Sequence, residues 1–155
     1  MTRVRFFPGQ MISAEDFEAE QNYHREKRRL LNRLLLGAGV VEGLGVSVSG
    51  SDVEVSKGTA IDRLGNEVVA EVPIGLDLAE WAGDSAFVTI QFMETPTDPV
   101  PVFDGGVEFT RVTEGSVIQL TAEDPCDDPE SMLVCVVRLC RVGGAWQVDL
   151  EPHSR

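Results

Sequence analysis

Positive charge, histidine, cysteine and aromatic rings are all scarce in this chain, and each shortage removes a class of function. Its 155 residues hold 13 Lys+Arg against 26 Asp+Glu, a formal charge of −13. A field of that sign repels phosphate backbones and anionic lipid, so neither nucleic acid nor membrane is expected as a partner. Only His24 and His153 are available as imidazoles. Neither has a partner at the spacing of a metal site or a catalytic triad, and GxSxG, HExxH and Cys–His arrangements are all missing. The three cysteines, Cys126, Cys135 and Cys140, are an odd number, which argues against a disulfide framework. Cys135 and Cys140 fall at opposite parities of one apolar run, MLVCVVRLC, and read as small apolar residues rather than co-ligands. Cys126 lies among Asp124, Asp127 and Asp128, whose negative charge raises a thiol pKa and blunts it as a nucleophile. No apolar run approaches the roughly 18 residues of a membrane span. The opening MTRVRFFPG is too short and mixed for a signal peptide, so a cytoplasmic chain is expected, unless a particle carries it out.

What is present is a chain able to bury a core. With 43% apolar and 25% charged residues it has the profile of a soluble globular protein, and its length suits one structural unit. The spacing predicts a helix from about Ala14 to Leu36, roughly 34 Å long at ~1.5 Å per residue. Ser13 is a favourable N-cap and Asp16 completes a variant of the capping box. Glu15, Asp16, Glu18 and Glu20 lie early; Arg25, Lys27, Arg28, Arg29 and Arg33 lie late, an order that suits the helix dipole. Gly37 and Gly39 stand where a helix is capped. Leu30, Leu31, Leu34, Leu35 and Leu36 make the last third strongly apolar, and that third is expected to dock on the following domain. The first turns offer only Phe17, Ala19 and Tyr23, so this polar half either lies solvated or projects toward a partner.

From Val40 the apolar period changes to two. Val46, Val48, Val53 and Val55 alternate with polar residues around Gly50-Ser51-Asp52, a hairpin. Arg63-Leu64-Gly65-Asn66 makes a second turn. Pro73 marks Val72–Leu78 as an edge strand. Phe87–Phe92 and Val117–Ala122 read as strands, and Glu94–Gly106, with three prolines, as a long loop. Glu123–Glu130 is an acidic loop. Gly143-Gly144 joins Leu133–Val142 to Ala145–Leu150 as a hairpin. The fold class is therefore α+β, mainly β: one long N-terminal helix, then an antiparallel β-sandwich or partly closed barrel of about eight strands. Residues 1–39 form the N-terminal segment and helix, and 40–155 the β-domain.

No chemistry stands out against this frame. The glycine run from Gly37 to Gly45 follows a helix rather than a strand and lacks a phosphate-loop lysine, so it reads as a helix cap and the start of a strand. The acidic loop 123–130 offers the hard oxygens calcium takes, though not in the spacing of a calcium loop, and two prolines break it. A calcium- or carbohydrate-binding adaptor module stays open as an alternative. Few rings exist to stack a sugar, Tyr23, Trp81 and Trp146 among them. No catalytic, metal or cofactor residue is expected.

The segment FFPGQMISAEDFEAEQNYHREKRRLLNRLLLGAGVVEGLGVSVS resembles a family associated with phage-tail-like contractile injection systems. The matching positions are Gly9, Gln10, Asp16, Phe17, Glu20, Gln21, Tyr23, Lys27, Arg29, Gly37, Gly39, Val40, Val41, Gly43 and Leu44. VEVSKGTAIDRLGNEVV looks like a short β-module of tail and baseplate components, and the resemblance runs over about residues 6 to 114. It implies a non-enzymatic structural and assembly component at a baseplate or fibre attachment. Its contacts with other particle subunits, or with itself, are then expected through the helix, at Asp16, Phe17, Glu20, Gln21, Tyr23, Lys27, Arg28 and Arg29.

Overall fold

The computed structural model describes residues 1–103 and 105–149; the expected strand end at Leu150 and the tail with His153 lie outside them. One helix, α1 (Ala14–Leu35), precedes ten strands. Its start follows from the capping box: the Asp16 carboxylate accepts the Ser13 backbone N–H at 3.1 Å. Its end follows from Gly37, whose φ of 72° lets the amide turn back to the Asn32 carbonyl at 3.0 Å.

The strands form three sheets in which every pairing is antiparallel. The first holds β1 (Gly39–Gly43), β4 (Gly58–Ile61) and β5 (Glu67–Ala70) in the order β1-β4-β5. The second holds β2 (Val46–Ser49), β3 (Asp52–Val55) and β6 (Ile74–Asp77) in the order β2-β3-β6. The third holds β7 (Ser85–Pro101), β8 (Val107–Thr121), β9 (Val134–Val142) and β10 (Ala145–Asp149) in the order β10-β9-β7-β8. The mainly-β α+β class is as expected, with ten strands in place of about eight. The added strand β1 comes from the glycine-bounded GVVEG, where the sequence showed only a strand beginning.

Strict alternation builds the core. Val53 and Val55 of β3, and Val68 and Ala70 of β5, point inward between exposed neighbours. They meet Ala60, Leu78, Val88, Ile90, Ile118, Val134 and Leu139, all buried in one cluster. Each fully buried valine or leucine contributes about 1.5–3 kcal/mol relative to exposure.

Two expectations are corrected. Glu94–Gly106 is not a long loop: β7 runs unbroken to Pro101 and pairs with β8 from Val107, so the two strands extend as a ribbon beyond the body. Pro96, Pro99 and Pro101 signalled a loop, but the outer half of β7 has only β8 beside it, and its open side tolerates residues that cannot donate. The second correction concerns the leucines. No residue of α1 is buried, and Leu31, Leu34 and Leu35 are 55%, 73% and 75% exposed. The apolar third does not dock on the sheets. At ~100° per residue Leu34 lies opposite Arg25, Arg29 and Asn32, which face the β-strands, and Leu31 and Leu35 flank it.

Candidate protein-interaction surface

Helix α1 is held to the body by polar contacts. Arg29 donates from Nε to Asn66 Oδ1 at 2.6 Å. Asn66 in turn donates its backbone N–H and its Nδ2 to the two carboxylate oxygens of Asp62, at 2.8 and 2.7 Å. Asp62 is only 1% exposed, so its charge rests on these bonds and on the turn that supplies them. Asn32 donates to the Gly65 carbonyl at 2.9 Å and Arg33 to the Leu64 carbonyl at 2.7 Å. Further toward the N-terminus Arg25 meets Glu94 of β7 at 3.1 Å. Gly65 makes the close approach possible: a Cβ there would lie 2.2 Å from the Arg29 carbonyl oxygen, and its φ is +86°.

The sequence-predicted interaction residues divide into three roles. Asp16 is spent on the helix cap, and Arg29 on Asn66 and on Glu26 at 2.7 Å. Arg28 reaches Glu67 of β5 at 3.5 Å, with both side chains well exposed, a contact of about 0–1 kcal/mol. Tyr23 is half-buried, its ring edge-on to His24 at 5.4 Å and under the Lys27 ammonium at 5.9 Å. Glu20 meets His24 at 3.0 Å. Phe17 is exposed, as are Gln21 and Lys27. The structure thus leaves Phe17, Gln21 and Lys27 exposed, Lys27 over the Tyr23 ring, and turns Asp16 and Arg29 to contacts within the chain.

Two features escaped the sequence reading. One is the outward face of α1, with Leu31, Leu34 and Leu35 beside Lys27. The other is the β7–β8 ribbon, whose Met93, Val100, Phe103, Val107, Phe109 and Val112 are exposed. Between α1 and β8 runs an open cleft of about 940 Å³, walled by Gln21, Asn22 and Arg25 on one side and Phe109–Val112 on the other.

The alternative chemistries find little to work with. Among the described residues no three His, Cys, Asp or Glu side chains converge as a metal site. In the acidic loop, Asp124 and Asp128 accept the backbone N–H groups of Cys126 and Glu130 at 2.8 and 2.9 Å. Arg63 covers the same loop by donating to the Asp128 and Cys126 carbonyls. The Cys126 thiol is pushed up first by desolvation and then by Asp124, and burial pushes Cys135 up to about 12. Neither is an activated nucleophile. Trp146 is buried with the Arg141 guanidinium 4.6 Å from its ring centre, and Trp81 is half-buried against the core, its Nε1–H donating to the Ser85 carbonyl. No described helix is long and apolar enough to cross a membrane.

No protein-family model matches the chain, and no curated protein matches it in sequence. Solved structures do match its fold. A chain of the type VI secretion system TssK-TssF-TssG baseplate subcomplex superposes with a TM-score of 0.62 at 13% identity, over 96% of this chain and 60% of that one. The crystal structure of TssK gives 0.56 at 13% identity over 96% and 40%. A chain of the type VI baseplate complex gives 0.52 at 15% identity over 96% and 58%. The present chain therefore spans between about two-fifths and three-fifths of the proteins it matches, and shares with these baseplate proteins a helix-then-β fold.

Proposed function

We propose that this protein is a non-enzymatic structural subunit of a phage-tail-like contractile injection particle, seated at the baseplate or at a fibre attachment, and that α1 binds a neighbouring subunit. The observation that carries this reading is a 22-residue helix with no buried residue, tied down by arginine and asparagine on one side while Leu31, Leu34 and Leu35 face away from the body. Most helical stability in proteins comes from packing an apolar face, and here the body does not cover that face. The shared fold with type VI baseplate proteins supports the setting. The chain would be made in the cytoplasm and leave it only within a particle.

The experiment is to express a tagged chain in cells that assemble its particle and to follow it into the high-mass fraction by sedimentation. The wild-type chain should sediment with the particle. A folded Leu31→Glu/Leu34→Glu double variant should remain at the top of the gradient. Co-sedimentation of that variant at the wild-type level would rule out the leucine face as the contact.

A further inference from the structure

Among the described residues strand β8 is the last of its sheet, and over Val107–Glu114 no described strand lies beside its outer edge. Nearer the body, Ser116 of β8 bonds the Val69 carbonyl of β5 at 2.8 Å, so this outer stretch begins where β5 leaves off. The two edges of the projecting ribbon differ. The β7 edge carries Pro96, Pro99 and Pro101, which supply no N–H and close it to pairing. The β8 edge from Val107 to Glu114 contains no proline. A bare edge is a row of alternating amide donors and carbonyl acceptors, and its natural occupant is another extended strand. The cleft between this edge and α1 is where such a strand would lie.

The charges around the cleft ask for a cationic strand. Glu94 and Glu114 stand opposite each other in register, and Arg25 offsets only Glu94. Glu18 and Glu114 on the cleft, and Glu108 farther along the same strand, have no ion-pair partner among the described residues, against Arg111 as the one such cation on the cleft. The Oε2 atom of Glu20, on the cleft wall, is shielded from water and has no hydrogen-bond partner.

The chain itself holds a segment of matching chemistry. Residues 1–7, MTRVRFF, contain no turn or bend and no acidic residue, and lie outside every sheet. Met1–Phe6 make no hydrogen bond to the described residues, and Phe6 and Phe7 are exposed. As a strand the segment would put Arg3 and Arg5 on one side and Val4 and Phe6 on the other. On β8, Glu108 lies between Val107 and Phe109, so its side chain takes one face and theirs the other. Set antiparallel with Arg5 opposite Glu108, the segment brings Phe6 against Val107 and Val4 against Phe109. The lengths also agree, at about 23 Å for seven residues and about 26 Å for eight.

We propose that residues 1–7 of one copy add as a strand to the Val107–Glu114 edge of a second copy, so that copies of this chain associate by strand exchange. The reading does not depend on the leucine face or on membership of a particle.

The test is made on the full chain by light scattering across a concentration series. Wild type should show a mass of at least twice 16.9 kDa, with the amides of residues 107–114 protected from hydrogen exchange in the associated form. The exposed charge reversal Arg3→Glu/Arg5→Glu should weaken association at least tenfold, and adding Glu108→Arg should restore part of it. Leu31→Glu/Leu34→Glu should leave association intact, which separates this proposal from the leucine contact. A dye-labelled peptide MTRVRFF should compete. A single-copy mass at all concentrations would overturn the proposal, and so would association indifferent to Arg3→Glu/Arg5→Glu. Protection of residues 107–114 in a monomer would assign the pairing to the same copy and overturn it equally.

Discussion

Gly65→Ala should detach α1 while leaving the β-core folded. The new methyl would sit 2.2 Å from the Arg29 carbonyl oxygen and 2.9 Å from its carbonyl and α carbons. All three are backbone atoms, so no side-chain rotation relieves the collision. The left-handed φ of +86° adds about 1–2 kcal/mol for a residue with a Cβ. Against this the helix has the Arg29–Asn66, Asn32–Gly65 and Arg33–Leu64 bonds. Each contributes about 0.5–3 kcal/mol net, toward the low end where water reaches it. No residue of α1 is fully buried, so little apolar surface adds to these bonds. Moving the helix out far enough to clear the methyl stretches all three bonds together, so the docking should fail as a unit. Gly50→Ala is the control. Its φ is +65° but nothing lies within 4 Å of the new Cβ, so it carries the backbone strain without the collision. Hydrogen exchange resolves the two. In Gly65→Ala the amides of α1 should lose protection while those of β3, β7 and β9 keep theirs; in Gly50→Ala both should be retained, with stability lowered by about 1–2 kcal/mol. Equal behaviour of the two variants, or loss of helix and core in one transition for Gly65→Ala, would refute the reasoning.

Other perturbations test other parts of the account. Asn66→Ala removes the Nδ2 donor to buried Asp62 and the acceptor of Arg29, and should cost about 1–3 kcal/mol in denaturant unfolding. Leu139→Ala opens a cavity at a fully buried site and should cost about 2–5 kcal/mol. Because burial raises the Cys135 thiol from 9.0 to about 12, its neutral form stabilises the fold fully below pH 9, and that contribution is lost as pH rises from there toward 12. The melting temperature of wild type should fall more steeply over that window than that of Cys135→Val. Iodoacetamide at pH 8 should label exposed Cys126 in the native protein and reach Cys135 only on unfolding.

Local signals were legible where the chain must satisfy its own backbone. Ser13 with Asp16 marked the helix start, Gly37 its end, and Gly143-Gly144 the last hairpin, because caps and tight turns are decided by a few adjacent residues. The β7–β8 ribbon was not legible, because proline reads as a breaker and only the sheet order shows that its missing N–H faces an open edge. The leucines of α1 were visible as an apolar stripe, but a stripe does not say what covers it. The deciding contacts were polar and distant in sequence: Arg29 to Asn66, Asn32 to Gly65, Arg33 to Leu64. For the same reason Asp16 and Arg29, prominent in the helix motif, proved to be tied within the chain, while Phe17, Gln21 and Lys27 remained outward.

The central claim is that the outward face of α1 is an interface, and hydrogen exchange on the assembled particle measures it directly. With the chain isolated and in the particle, amides of residues 27–35 should gain protection on assembly, while those of the already buried β3 and β9 stay as they are. Unchanged exchange across 27–35, in particles shown to contain the chain, would contradict the account.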